Sequence, residues 1–112
     1  MTELRNLTPH EINIKTLCGD VITVKPSGLA RCTPSIKVVD GISVGEHDSI
    51  TITRVELGEV EGLPDPENGV IFIVSRPVAE RMRGLRTDLM VPGTLIRNEK
   101  GQPVGCNGLS VI

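Results

Sequence analysis

A chain of 112 residues, 38% hydrophobic and 23% charged, has room for one modest core and is taken as a single β-rich domain over residues 1–112. Its formal net charge of −2, with one Phe (Phe72), no Trp and no Tyr, argues against a nucleic acid polymer or an anionic membrane as partner. No apolar run approaches the roughly 20 residues of a membrane helix, and "MTELRNLTPHEIN" lacks a signal-peptide layout, so the expected location is cytoplasmic.

In "EINIKT", Ile12 and Ile14 alternate with Asn13 and Lys15, which predicts a half-buried strand. "LCGD" is a tight turn and "VITVK" the returning strand, together a first hairpin. "LARCT" predicts a third short strand and "IKVV" a fourth, ended by a turn at Asp40-Gly41. "DSITITRVELGEV" is a longer strand. Its apolar phase slips by one residue between Ile52 and Val55, which predicts a β-bulge near Thr53-Arg54 or a bend between sheets. "EGLPDPENG" is the clearest surface loop.

"VIFIVS" has no wet face and predicts a strand covered on both sides, with Phe72 in the core. Pro77 opens a two-turn helix over "PVAERMRG", with Val78 and Met82 inward, Leu85 just beyond and Gly84 as its stop. "DLMV" is a strand ended by Pro92-Gly93. The remainder closes as a hairpin about residues 99–102, with the C-terminal "LSVI" in the sheet. The sum is a mainly β, β-rich α+β fold: a small barrel or sandwich of about eight short strands with one short helix.

Candidate sites are few. At Ser75–Arg76–Pro77, strand becomes helix. Unpaired N–H groups, the Ser75 hydroxyl and the Arg76 guanidinium would suit an anion, with Arg81, Arg83 and Arg86 close in sequence. The plainer reading makes Ser75 a helix cap and leaves Arg76 in solvent. In "NLTPH", Asn6 or Thr8 forms an Asx- or ST-type turn before Pro9, or His10 bonds a ligand. "PSGLAR" is either a turn or an anion nest with Arg31 beside it. Cys18, Cys32 and Cys106 have no CxxC spacing and fit neither a disulfide framework nor a zinc module. A Cys106–His10 nucleophilic pair lacks a surrounding motif, and His10 and His47 are not in metal-ligand spacing. No catalytic residue, metal or cofactor is assigned.

"NLTPH" (6–10), "PSGLAR" (26–31), "GLP" (62–64), "IVSRPVAE" (73–80), "DLMVPG" (88–93) and "GCNGL" (105–109) together resemble a family of small uncharacterised proteins from bacteriophages and bacteria, actinobacteria especially. The resemblance spans nearly the whole chain. It implies a prokaryotic or phage protein working in the bacterial cytoplasm, and by analogy an accessory or anti-defence role exercised by binding.

Three functions follow as expectations. The first is a non-catalytic binder of an anionic, nucleotide-like small molecule through Ser75, Arg76, His10, Arg31 and Arg86, at a site that two subunits can share. The second is a protein-interaction or structural-assembly protein, engaging a host protein or forming a homo-oligomer through β edges such as "LSVI". The third is a small enzyme, for which the sequence offers no catalytic spacing.

Overall fold

The computed structural model describes residues 2–112. Eight strands and one helix follow in the order β1 (Glu3–Asn6), β2 (Ile12–Lys15), β3 (Val21–Val24), β4 (Arg31–Val44), β5 (Asp48–Glu61), β6 (Val70–Ile73), α1 (Arg76–Arg81), β7 (Leu89–Arg97) and β8 (Pro103–Ser110). Six strands form one sheet in the order β1-β6-β7-β8-β2-β3, and β4 and β5 form a separate two-stranded ribbon. β6 pairs in parallel with both β1 and β7, and β2 pairs in parallel with β8. The pairs β7–β8 and β2–β3 are antiparallel.

The sheet comes close to closing on itself. Beyond β3, Pro26 forms a bridge with Asn6 at the end of β1, and the Ser27 N–H donates to the Asn6 carbonyl at 2.9 Å. The mainly β fold is therefore a nearly closed barrel. The fully buried Asn6 side chain fastens the closure. Its Nδ2 donates to the carbonyls of His10 (2.7 Å) and Val24 (3.0 Å). Its Oδ1 accepts from the Thr8 N–H (2.9 Å) and the Thr8 hydroxyl (2.6 Å). "NLTPH" is thus an Asx turn that ties β1 to the approach of β2 and the end of β3, which leaves no buried side-chain polar atom unpaired among the described residues.

β6 divides the core. Ile73 packs with Ile14 and Cys106, flanked by Leu4, Ile12, Val24 and Leu109. On the other side Val70, Phe72 and Val74 join Val78 and Ala79 of α1, Leu89 and Val91 of β7, and Leu7, Ala30 and Cys32, with Leu57 and Val60 of β5 against them. A strand covered on both faces explains its unbroken apolar run. The short helix persists because Val78 and Ala79 are buried there, too short a segment to hold by its own hydrogen bonds. Leu85 lies outside this packing and is exposed.

The region between Arg31 and Val44 departs from the expected pair of short strands. β4 runs 14 residues without a break, and Asp40-Gly41 lies inside it. The chain turns instead at residues 45–47, where Gly45 takes a positive φ. The slip in apolar phase is present, but the extra residue sits on the facing strand. Val38 pairs with Thr53 and Asp40 with Ile52, leaving Val39 as the bulge. Pro92-Gly93 likewise does not end β7. Pairing of β7 with β6 stops at Met90, so Pro92 has no strand on that side to donate to, and β7 continues to Arg97 against β8. β1 has no sequence-level signature and forms by pairing with β6.

Candidate functional site

The five residues expected at an anion site are spread over separate local partnerships. Ser75 makes no side-chain cap bond to α1. Arg76 is exposed and bonds Glu80 one turn on, at 3.2 Å. Arg31 faces Glu61 across the β4–β5 ladder, with 3.5 Å between the charged groups. His10 is exposed and uses its backbone carbonyl in the Asn6 turn; the residue borders a concavity of about 370 Å³ with Ile12, Pro92, Leu95 and Cys106.

Arg86 is held most firmly. Its Nε and Nη2 grip both oxygens of Asp88 at 2.8 and 2.7 Å, and its guanidinium lies 6.0 Å from the centre of the Phe72 ring. The bidentate bond lowers the Asp88 carboxyl below its ordinary range and raises Arg86, against the opposing effect of partial burial on each. Arg86 is therefore internally neutralised. No hydrogen bond or ion pair joins any two of the five residues to each other among those described. No group of three His, Cys, Asp or Glu side chains is gathered for a metal among the described residues.

Two exposed arginines remain near α1. Arg81 borders a groove of about 310 Å³ between α1 and the base of the ribbon, with Glu59, Met82 and Leu85. Arg83 borders an adjoining groove of about 300 Å³ with Val111 and Ile112.

The conspicuous surface is the β4–β5 ribbon. Every residue from Thr33 to Val55 is exposed, although both strands are rich in β-branched side chains. A compact chain of this length has a radius of gyration of about 13 Å. This one has 18.3 Å and extends 62 × 40 × 20 Å, as a projecting arm requires. Cross-strand partners share a face. Near the root, Ile36/Val55 and Val38/Thr53 lie on one face and Lys37/Arg54 on the other. The Val39 bulge reverses the pattern. Toward the tip, Asp40/Ile52, Ile42/Ile50 and Val44/Asp48 share the second face, and Gly41/Thr51 and Ser43/Ser49 the first. Ile36, Val38 and Val55 are 60–71% exposed, and Ile42, Val44, Ile50 and Ile52 are 38–50% exposed.

The arm is anchored at its root. Gly62, with φ +81°, sits where any Cβ would run into the Leu29 carbonyl oxygen, so only glycine lets β5 leave the barrel here. Cys32 is buried and its thiol donates to the Gly58 carbonyl at 3.1 Å. The arm was missed at the sequence level because alternating β-branched residues look the same whether the rest of the chain covers them or not. Its signal was the length of apolar-rich strand around a single short turn.

β8 lies between β7 and β2; Leu109 and Ser110 of "LSVI" pair with β7, whereas β2 pairs with β8 only at Cys106 and Asn107. The long free edges belong to the arm. No helix among the described residues is long and apolar enough to cross a membrane. Comparison of the chain with protein-family models, curated proteins and solved structures finds no match.

Proposed function

We propose that this protein is a self-assembling, non-catalytic protein whose β4–β5 arm engages other copies of the same chain. The observation that carries this reading is the fully exposed arm with apolar side chains on both faces. A lone two-stranded ribbon is marginal in water, and a contiguous apolar surface of this kind is what interfaces cover. Covering the exposed part of each β-branched side chain is worth about 1 kcal/mol. Its unpaired ladder edges add a route for strand pairing between copies. The test is the mass in solution of the chain and of a variant carrying Ile42→Asp and Ile50→Asp. The two side chains face each other near the tip. Assembly by the native chain and its loss in the variant support the reading, whereas a variant that assembles as well as the native chain refutes it.

A second reading, a binder of an anionic small molecule, draws support from Arg81 and Arg83, which are exposed and carry no ion pair among the described residues. Native mass spectrometry of protein purified from its own host tests it. A nucleotide-sized mass lost on denaturation favours this reading, and a bare polypeptide mass counts against it.

A further inference from the structure

Two surfaces of this chain complement each other in charge and in apolar character. The outer half of the arm presents Ile42, Val44, Ile50 and Ile52 on one face, bracketed on that same face by Asp40 and Asp48. Glu46 lies in the turn beyond. From Asp40 to Ile52 there is no Lys or Arg, and the only other titratable group is His47, 4.0 Å from Glu46. Beside the root of the arm, the end of α1 and the segment after it expose Leu85 (68%), with Val111 (70%) in the adjoining groove. Arg81 and Arg83 flank them. The neighbouring cations Arg76 and Arg86 are already matched by Glu80 and Asp88. Glu59 lines the groove beside Arg81 and Asp65 lies near Arg86, while Arg81 and Arg83 themselves make no ion pair among the described residues.

We infer that the acidic, apolar arm tip of one copy docks on the Arg81–Arg83–Leu85 patch of the next copy. The inference rests on the self-assembly reading and adds the place where the arm lands. Opposite charges with apolar centres steer the encounter and set its register. Tip and patch are different surfaces, so the contact is head-to-tail: each copy gives one arm and receives one, building a ring or an open filament. The same two arginines that suit an anionic ligand then receive a neighbour's carboxylates.

Charge reversal tests this. One variant carries Glu46→Lys and Asp48→Lys, a second Arg81→Glu and Arg83→Glu, and a third all four changes. All four positions are exposed and none is an anchor of the core. Circular dichroism checks that each variant folds, and sedimentation velocity reads assembly. Each two-site variant alone is expected to dissociate at concentrations at least tenfold above those at which the native chain stays assembled. The four-site chain, and an equimolar mixture of the two-site variants, are expected to recover assembly. A monomeric native chain refutes the self-assembly reading itself. Two-site variants that assemble like the native chain overturn the docking site and leave self-assembly standing. Dissociation without recovery in the four-site chain or the mixture overturns the charge pairing.

Discussion

Asn6 is the residue on which closure of the barrel depends, and replacing it with Ala gives a cost that can be worked from its contacts. The side chain is fully buried and makes four hydrogen bonds, to the carbonyls of His10 and Val24 and from the N–H and hydroxyl of Thr8. Each net bond is worth about 1 kcal/mol, and a partner left buried and unpaired costs about 1–3 kcal/mol. His10 is exposed, so its carbonyl finds water; Val24 and Thr8 are only partly exposed. The sum is about 3 kcal/mol, a large share of the 5–15 kcal/mol typical of a domain. Urea unfolding at fixed protein concentration should show the midpoint falling by about 1–2 M with an unchanged slope. Asn6→Asp keeps the shape but turns two donors into acceptors that face carbonyl oxygens, and should cost at least as much at pH 7. A loss below about 1 kcal/mol in both variants would refute the idea that this side chain fastens β1, β2 and β3 together.

Further predictions concern the rest of the frame. Asp88→Asn breaks the bidentate bond to Arg86, whose side chains are only 14% and 16% exposed, and should cost about 1.5–3 kcal/mol at pH 6. Arg86 holds the Asp88 carboxyl below its unfolded value of 3.8, so its stabilisation is present above that value and is lost as pH falls through the lower folded value. Urea midpoints of the native chain and Asp88→Asn should therefore converge as pH falls below the lowered Asp88 value; a constant gap would show that the ion pair is not the cause. Gly62→Ala forces a side chain against the Leu29 carbonyl at a positive φ, and the melting temperature should report a loss of about 2 kcal/mol or more. Ile42→Asp with Ile50→Asp should weaken self-association by about 3 kcal/mol, roughly 100-fold, while leaving the unfolding of the barrel unchanged.

Much of the barrel was legible because its strands report their own surroundings. The alternation of Ile12 and Ile14 and the unbroken run at Val70–Val74 distinguish half-covered from fully covered strands, and Pro77 marks the start of the helix, which ends at Arg81 rather than running to Gly84. β1 was not legible, because "ELRN" acquires its strand form only from β6, more than 60 residues away. Asp40-Gly41 and Pro92-Gly93 are ordinary turn dipeptides that here lie within strands. The first follows a bulge that absorbs the local irregularity, and the second faces a side where no strand pairs. The arginines were visible, but their partners were assigned by the fold. Arg31 meets Glu61 across the ribbon, whereas the Arg86–Asp88 pair, two residues apart, was within reach of a local reading. Exposure of the arm is a property of the whole fold, since alternation alone does not say whether an apolar face is covered by its own chain.

Self-assembly through the arm is tested most directly by sedimentation velocity of the native chain over a concentration series from about 1 to 100 μM. Species at whole multiples of the 12.0 kDa chain, growing with concentration and weakened by salt, are the predicted result. A single 12.0 kDa species across the series would contradict the account and leave the arm without a partner among its own copies.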